Sequence, residues 1–207
     1  MNRFTLTGSM AYGRLYHTAT LFDNSVLITG GESDSIIFNT VEIYCNDKKY
    51  RTVKSMNECR TLHTATNLLN GKILIIGGLN NKVEIISSTE LFDTDKEEFI
   101  AINCMNYPRA IHTATLLDRN TVLIVGGATP NKYFATLNTC ELYCIDTNRF
   151  TETASMMCRR DCHTATLFEK NSKNYVLITG GRAGIDLYGN EIILNTAEVY
   201  CSETKKV

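Results

Sequence analysis

Four short apolar runs, each closed by a pair of glycines, divide the chain into similar units. The runs are almost wholly apolar, which is typical of a β-strand whose sheet is covered on both faces. Glycine pairs permit unusual backbone dihedrals and a close approach of two backbones. The runs span 26–28, 73–76, 122–125 and 176–178, and the pairs are Gly30 and Gly31, Gly77 and Gly78, Gly126 and Gly127, and Gly180 and Gly181.

A strand of alternating polarity precedes each apolar run and begins with His-Thr-Ala-Thr. The four copies start at His17, His63, His112 and His163, which are the only histidines of the chain. A turn separates the two strands, and in one unit it is Asn70-Gly71, a strong hairpin signal. The copies are 46, 49 and 51 residues apart. That period matches one four-stranded propeller blade.

Two further strands complete each unit. The first carries a small or β-branched residue, then glutamate, an apolar residue and an aromatic ring, and its glutamates are Glu42, Glu90, Glu141 and Glu198. The second runs from an aromatic residue to a methionine, at 4–10, 50–56, 99–105 and 150–156. An arginine lies three residues before each histidine, at Arg14, Arg60, Arg109 and Arg160. Each unit therefore predicts an antiparallel meander of four strands.

This order of Arg, His, Gly-Gly, Glu and Tyr resembles the kelch repeat over essentially the whole chain. The sequence His-Thr-Ala-Thr-Leu-Leu at 112–117 looks more like the galactose-oxidase-like kelch repeats than the kelch repeats of animal cullin adaptors. The repeat's usual tryptophan is replaced by Phe or Tyr, which keeps a large apolar ring. The resemblance implies an all-β fold, a β-propeller of four kelch blades, each a four-stranded antiparallel meander.

We expect one domain over 1–207, with repeats at approximately 11–56, 57–105, 106–156 and 157–207. In kelch propellers the aromatic-to-methionine segment is the outer strand of a blade, so the resemblance predicts that strand 4–10 closes the last blade. Terminal strand exchange of this kind is common in propellers and removes exposed sheet edges. A closed monomer is favoured on this argument. The alternatives are a dimer, or a segment of a larger propeller.

Composition argues against partners that are recognised by overall charge. The formal net charge is -1 and the pI is near 6.4, so no overall field favours nucleic acid or an anionic membrane surface. The apolar runs are too short for a signal peptide core or a membrane span. Three of the eight cysteines follow the repeated tyrosine, in equivalent positions that are too far apart to be bridged. These features predict reduced thiols in a cytoplasmic protein.

We expect a non-enzymatic binding or scaffold module that recognises a protein or peptide through the loop face near the central channel. The loops after Gly-Gly vary in length and sequence, and variable loops on a repeated scaffold usually carry recognition. The four arginines precede the innermost strands at this face, where they could bind an acidic partner. They could instead pair with the repeated glutamates. A carbohydrate is the alternative ligand, with Tyr133 and Tyr188 as stacking surfaces.

Catalysis and metal binding are not indicated by the pattern. Each histidine is explained by its place in the repeat, so we expect a framework role in which the imidazole bonds to neighbouring backbone, with no metal and no cofactor. A galactose-oxidase-like enzyme domain is a further alternative, but no spare imidazole remains for copper. Cys158 and Cys162 flank two arginines, which predicts lowered thiol pKa values at these positions.

Overall fold

The computed structural model describes residues 3–130 and 135–203, and its regular elements are all β-strands. Within these ranges there is no helix long and apolar enough to cross a membrane. The strands form four antiparallel sheets arranged as a four-bladed β-propeller, with small hairpins on the connecting loops. The fold class predicted from the repeat is therefore confirmed.

The strands follow the repeat along the chain. The first blade comprises β1 (Thr18–Phe22), β2 (Ser25–Thr29), β3 (Glu32–Ser33), β4 (Ile36–Ile37), β5 (Val41–Tyr44) and β6 (Tyr50–Val53). The second comprises β7 (Thr64–Asn67), β8 (Lys72–Ile76), β9 (Thr89–Asp93) and β10 (Glu98–Ile102). The third comprises β11 (Thr113–Leu116), β12 (Thr121–Val125), β13 (Ala128–Thr129), β14 (Ala135–Thr136), β15 (Cys140–Cys144) and β16 (Arg149–Thr153). The fourth comprises β17 (Thr164–Lys170), β18 (Lys173–Thr179), β19 (Arg182–Ile185), β20 (Glu191–Ile193) and β21 (Ala197–Cys201).

Each of the first three blades is a meander of four strands in sequence order. The strand that follows His is innermost, the apolar strand comes next, then the strand with the repeated glutamate, and finally the outer strand. The aromatic pair on the last two strands fixes the register, because Tyr143 lies opposite Phe150 with ring centroids 4.7 Å apart. The loops after Gly-Gly carry the hairpins β3–β4, β13–β14 and β19–β20.

The hydrophobic core lies between neighbouring blades. Leu27 of the first blade packs in one buried cluster with Ile73 and Phe92 of the second. Leu74 of the second blade packs with Val122 of the third, and Leu123 of the third packs with Val176 of the fourth. A methionine that follows an outer strand fills each junction, namely Met56, Met105 and Met156. Burial of one face by the next blade explains why the apolar strands lack alternation.

The N-terminal segment does not close the last blade, so that part of the prediction is wrong. Residues 3–10 form no strand, and the sheet of the fourth blade contains three strands in the described residues, β17, β18 and β21. The segment lies against the first blade, where the Thr7 and Tyr44 hydroxyl oxygens are 2.9 Å apart. Thr153 makes the same contact with Tyr200 at 3.1 Å, which is how an outer strand meets the following blade. The segment thus contacts the first blade as an outer strand contacts the blade after it, but it is not paired with any strand of the described residues.

The four blades form an open arc. The four residues that precede the repeated histidines are linked across blades by three backbone hydrogen bonds, from Leu62 N–H to Tyr16 O, from Ile111 N–H to Leu62 O and from Cys162 N–H to Ile111 O. Within the described residues no corresponding bond joins Tyr16 N–H to Cys162 O. The fourth blade presents an uncovered side, since Leu177 of its apolar strand is 36% exposed, and the predicted closed ring would have buried it.

Candidate binding site at the loop face

Each repeated arginine is a clamp inside its own blade. The Arg109 guanidinium donates to the carbonyl oxygens of Gly126 and Thr139, at 2.8 and 2.9 Å, and to the Thr139 hydroxyl at 3.0 Å. It also pairs with Glu141 at 2.9 Å. The same contacts recur at the other three arginines. The clamp ties the end of the apolar strand to the start of the glutamate strand.

The repeated glutamates complete the clamp by accepting backbone hydrogen bonds from the preceding outer connection. Glu141 accepts the N–H groups of Asn106 and Tyr107, and Glu198 accepts those of Met157 and Cys158. Both charges of the Arg109–Glu141 pair are fully buried. Of the two interpretations of the arginines, the structure shows the pairing with glutamate. The side chains of Arg14, Arg60, Arg109 and Arg160 are buried and are not presented to a ligand.

Three of the four repeated histidines bond a neighbouring blade in the described residues. His63 Nε2 lies 2.9 Å from the Thr29 hydroxyl and 3.2 Å from that of Thr18. His112 Nε2 is 3.0 Å from the Thr64 hydroxyl, and the equivalent distance from His163 to Thr113 is 2.9 Å. The partner is therefore a side-chain hydroxyl of the preceding blade, whereas the repeat alone suggested backbone. The threonines of His-Thr-Ala-Thr supply the partner for the next blade's histidine.

Burial keeps these imidazoles neutral. Desolvation, followed by the positive charges of Arg60 and Arg109, lowers the pKa of His63 and of His112 to about 3. Desolvation and Arg160 lower the pKa of His163 to about 4. A neutral imidazole inside a junction can bond a hydroxyl without an uncompensated charge.

The histidines give the stability of the protein a pH dependence. Between pH 6.5 and 3 the unfolded chain binds more protons at His112 than the folded chain, so unfolding becomes easier as the pH falls. We expect His112→Gln to lessen the loss of unfolding free energy between pH 6.5 and 5.5 by about 1 kcal/mol. Urea unfolding across this range measures it, and the change between pH 8 and 7.5 serves as the control. Equal slopes for wild type and variant in the acidic range would contradict the prediction.

The residue before each histidine has left-handed backbone geometry and faces the mouth of the channel. Its φ is 53° at Tyr16, 57° at Leu62, 57° at Ile111 and 53° at Cys162. A β-branched residue such as Ile111 is a rare occupant of this region, and such strain costs on the order of 1–3 kcal/mol. The four residues and the four histidines together line the opening. Strain of this kind is often found at binding sites.

An apolar cavity of about 260 Å³ lies beside this mouth on the loop face. The residue after each repeated arginine forms an isolated antiparallel β-bridge with the loop after Gly-Gly, as Thr61 does with Leu79 and Ala110 with Ala128. These bridges hold the variable loops next to the left-handed residues. Three blades contribute the walls, which are Leu62, Leu79 and Ile85 from the second, Ala110, Ile111 and Ala128 from the third, and Arg182, Gly184 and Ile185 from the fourth.

Arg182 is the one charged residue of the cavity wall within the described residues. Its guanidinium makes two hydrogen bonds to the Asp161 carboxylate, at 2.9 and 3.0 Å, and also pairs with Glu191. The carboxylates of Asp161 and Glu191 raise the pKa of Arg182. Two acidic groups around one cation leave this rim without surplus positive charge. The cavity is therefore suited to an apolar group rather than to an acidic one.

The remaining predicted site residues are spread apart or lie outside the described residues. Tyr188 is almost fully exposed at the tip of the β19–β20 loop, and Tyr133 falls outside the described ranges. None of the eight cysteines, all of which are described, forms a disulfide. Burial raises the pKa of the Cys162 thiol, so the lowered value predicted there is wrong. No group of three or more His, Cys, Asp or Glu side chains in the described parts of the chain could hold a metal.

The left-handed residues were missed in the sequence, although a signal was present. The position before each histidine holds Tyr, Leu, Ile and Cys, while the arginine and histidine around it are constant. A variable position inside a fixed motif indicates a side chain that the framework does not need. Comparison with known proteins adds no assignment, since no protein-family model and no curated protein matches the chain.

Proposed function

We propose that the chain is a kelch-type β-propeller that acts as a non-enzymatic binding module in the cytoplasm, and that its ligand is a peptide segment of a protein partner. The peptide inserts an apolar side chain into the loop-face cavity. The observation that carries the proposal is the cavity itself, with eight uncharged residues and one arginine contributed by three blades. Concave apolar sites with few polar groups are typical of ligand binding.

The side chains that line the cavity support an apolar anchor over an acidic motif. The repeated arginines are engaged by glutamates and backbone carbonyls, and Arg182 is engaged by two carboxylates. Transfer of a Leu, Ile or Phe side chain from water into such a cavity is worth about 1.5–3 kcal/mol. Backbone amides of the peptide would lie along the loops that surround the anchor.

The same residues support binding over catalysis. The buried histidines each bond a threonine hydroxyl and are neutral, which suits a structural bond better than proton transfer near neutral pH. Burial raises the pKa of Cys140 to about 11 and raises that of Cys59, which lowers the thiolate fraction of both. The repeated polar residues are thereby accounted for by framework contacts.

We expect Ile185→Glu to weaken peptide binding at least tenfold, because it places a carboxylate in an apolar wall. Ile185 lines the cavity and is half exposed, so the change should leave the fold intact. Peptides selected against the wild type from a random display library provide the probes. Their dissociation constants are measured by fluorescence polarisation.

Ile193→Glu is the matched control, since Ile193 lies on the same hairpin, is exposed and is not part of the cavity wall. Binding to this variant should equal binding to wild type. Enriched peptides should share an apolar residue whose replacement by alanine abolishes binding. Peptides that bind Ile185→Glu as tightly as wild type would refute the proposed site.

A further inference from the structure

The three junctions between blades use one repeated set of contacts. A glycine N–H of one blade donates to an arginine carbonyl of the next, as from Gly31 to Arg60, Gly78 to Arg109 and Gly127 to Arg160, at 2.8 to 2.9 Å. In return, N–H groups of the incoming connection donate to the carbonyls before the glutamate strand. Examples are Met56 N–H to Asn39 O and Met156 N–H to Asn138 O. The histidine-to-threonine bond completes each junction.

The fourth blade has the groups that the earlier blade contributes to such a junction. In the described residues these groups have no following blade to bond. The Thr164 and Thr179 hydroxyls bond each other, with no histidine beside them. Among the described residues, Gly181 N–H and the Asn195 carbonyl do not make the bonds found at the equivalent positions. Leu177 is 36% exposed, whereas the equivalent Leu27, Leu74 and Leu123 are each 0% exposed. Val199, the equivalent of the buried Ile43, is also exposed.

The first blade carries the groups that the later blade contributes to a junction. Met10, Arg14 and His17 occupy the positions that supply the Met N–H, the Arg carbonyl and the imidazole at the internal junctions. Within the described residues the backbone N–H groups of Met10 and Arg14 and the Arg14 carbonyl make no such bond. The two ends of the arc are therefore complementary to one another in the same way that neighbouring blades are.

The N-terminal segment has the sequence pattern of the outer strand that the described part of the fourth blade lacks. Phe4 and Leu6 are fully exposed. In the third blade Phe150 lies opposite Tyr143 and Thr153 opposite Cys140. The same register places Phe4 opposite Tyr200 and Thr7 opposite Ala197 on β21. Addition of this strand would pair the sheet edge along 197–200 and bring Phe4 against a tyrosine ring, as at the other blades.

We propose that two copies of this chain associate head to tail, so that the fourth blade of each receives the first blade and the N-terminal strand of the other. Head-to-tail contacts close a ring only if the rotation permits it, and otherwise form filaments. Two copies give eight blades, which is within the range seen in propellers, whereas three would give twelve. The proposal does not rest on the proposed peptide site, whose walls come from the three blades inside the arc.

The test is the mass of the 207-residue chain in solution, measured by sedimentation equilibrium over a range of concentrations. We expect the mass of two copies. Leu177→Glu should raise the dimer dissociation constant at least a hundredfold, because it puts a charge where the next blade packs. Leu187→Glu is the matched control, since Leu187 is fully exposed on the same blade and is absent from the junction positions. Unfolding transitions of both variants establish that the monomer still folds.

A mixing experiment separates this geometry from unspecific apolar association. Phe4→Asp should also give monomers, because it removes the ring that faces Tyr200. An equal mixture of the Leu177→Glu and Phe4→Asp chains retains one intact junction, between the wild-type N-terminus of one and the wild-type fourth blade of the other. We therefore expect the mixture to form pairs that neither variant forms alone. A monomeric wild type, a dimer insensitive to Leu177→Glu, filaments that grow with concentration, or no pairing in the mixture would each overturn the proposal.

Discussion

Replacement of Arg109 by alanine is expected to lower the free energy of unfolding by about 3–5 kcal/mol. The substitution leaves the buried Glu141 carboxylate without its cation and leaves the Gly126 and Thr139 carbonyls without their side-chain donor. The cost is that of a buried charge and of unsatisfied acceptors, both of which are expensive in a low-dielectric interior. Urea unfolding at neutral pH, followed by circular dichroism, measures the effect.

Arg119→Ala is the matched control, because Arg119 is exposed on the β11–β12 turn of the same blade. Its effect should stay within about 0.5 kcal/mol, as is usual for surface substitutions. The loss of unfolding free energy in Arg109→Lys should lie between those of Arg109→Ala and Arg119→Ala. An ammonium keeps the charge but cannot reproduce the planar set of donors. Equal stabilities of Arg109→Ala and Arg119→Ala would show that the clamp contributes nothing to the fold.

Gly127→Ala is expected to destabilise the protein by about 3 kcal/mol or more, from a left-handed strain of about 1–3 kcal/mol and an overlap of similar size. Gly127 has a φ of 97°, and a Cβ built there would lie 2.7 Å from the Ala110 carbonyl and 2.8 Å from His112 Cβ. The overlapping atoms belong to the residues that lead into the innermost strand β11. These residues cannot move without breaking the bridge between Ala110 and Ala128. Thermal and urea unfolding both report the loss.

Gly13→Ala provides the comparison within the same chain. A Cβ built at Gly13 meets nothing within 4 Å, and Gly13 is not among the glycines with a positive φ. Its substitution should be neutral or slightly stabilising, because alanine restricts the unfolded chain. If both glycine variants lost stability equally, the close approach at Gly127 would not be the cause.

The strands and their order were predictable because each has its own local signal. The apolar runs, the alternating His-Thr-Ala-Thr strands and the Glu-apolar-aromatic strands all appear in the fold at the expected places. The aromatic-to-methionine segments were predicted too long, since β6 ends at Val53 and β16 at Thr153, while Met56 and Met156 continue into the junctions. A methionine packs at a junction in the same way whether or not its backbone is paired.

The contacts across blades were less accessible from the sequence. The His-Thr-Ala-Thr threonines that bond His63, His112 and His163 lie 45, 48 and 50 residues earlier in the chain. A repeated sequence offers the same threonine in every unit, so it does not show which blade supplies it. Ring closure could not be predicted from the repeated sequence for a related reason. The angle between blades depends on side-chain packing at the junction and not on the strands themselves.

The loop-face cavity was predicted only as a region. The pattern placed the variable loops and the repeated arginines at one face, which is where the cavity is found. It could not show that the arginines turn inward to glutamate, since pairing and ligand binding call for the same residues. Nor did it single out Ile111, whose left-handed backbone directly follows the bridge between Ala110 and Ala128.

The location of the core between blades makes the junction, rather than the blade, the cooperative unit of folding. A single blade exposes both faces of its sheet and has no buried interior of its own, so it should not fold in isolation. Stability then grows with the number of junctions, as in a one-dimensional array with nearest-neighbour coupling. Removal of a whole repeat eliminates a junction, whereas a cut through the middle of a repeat also leaves half a sheet unable to pack.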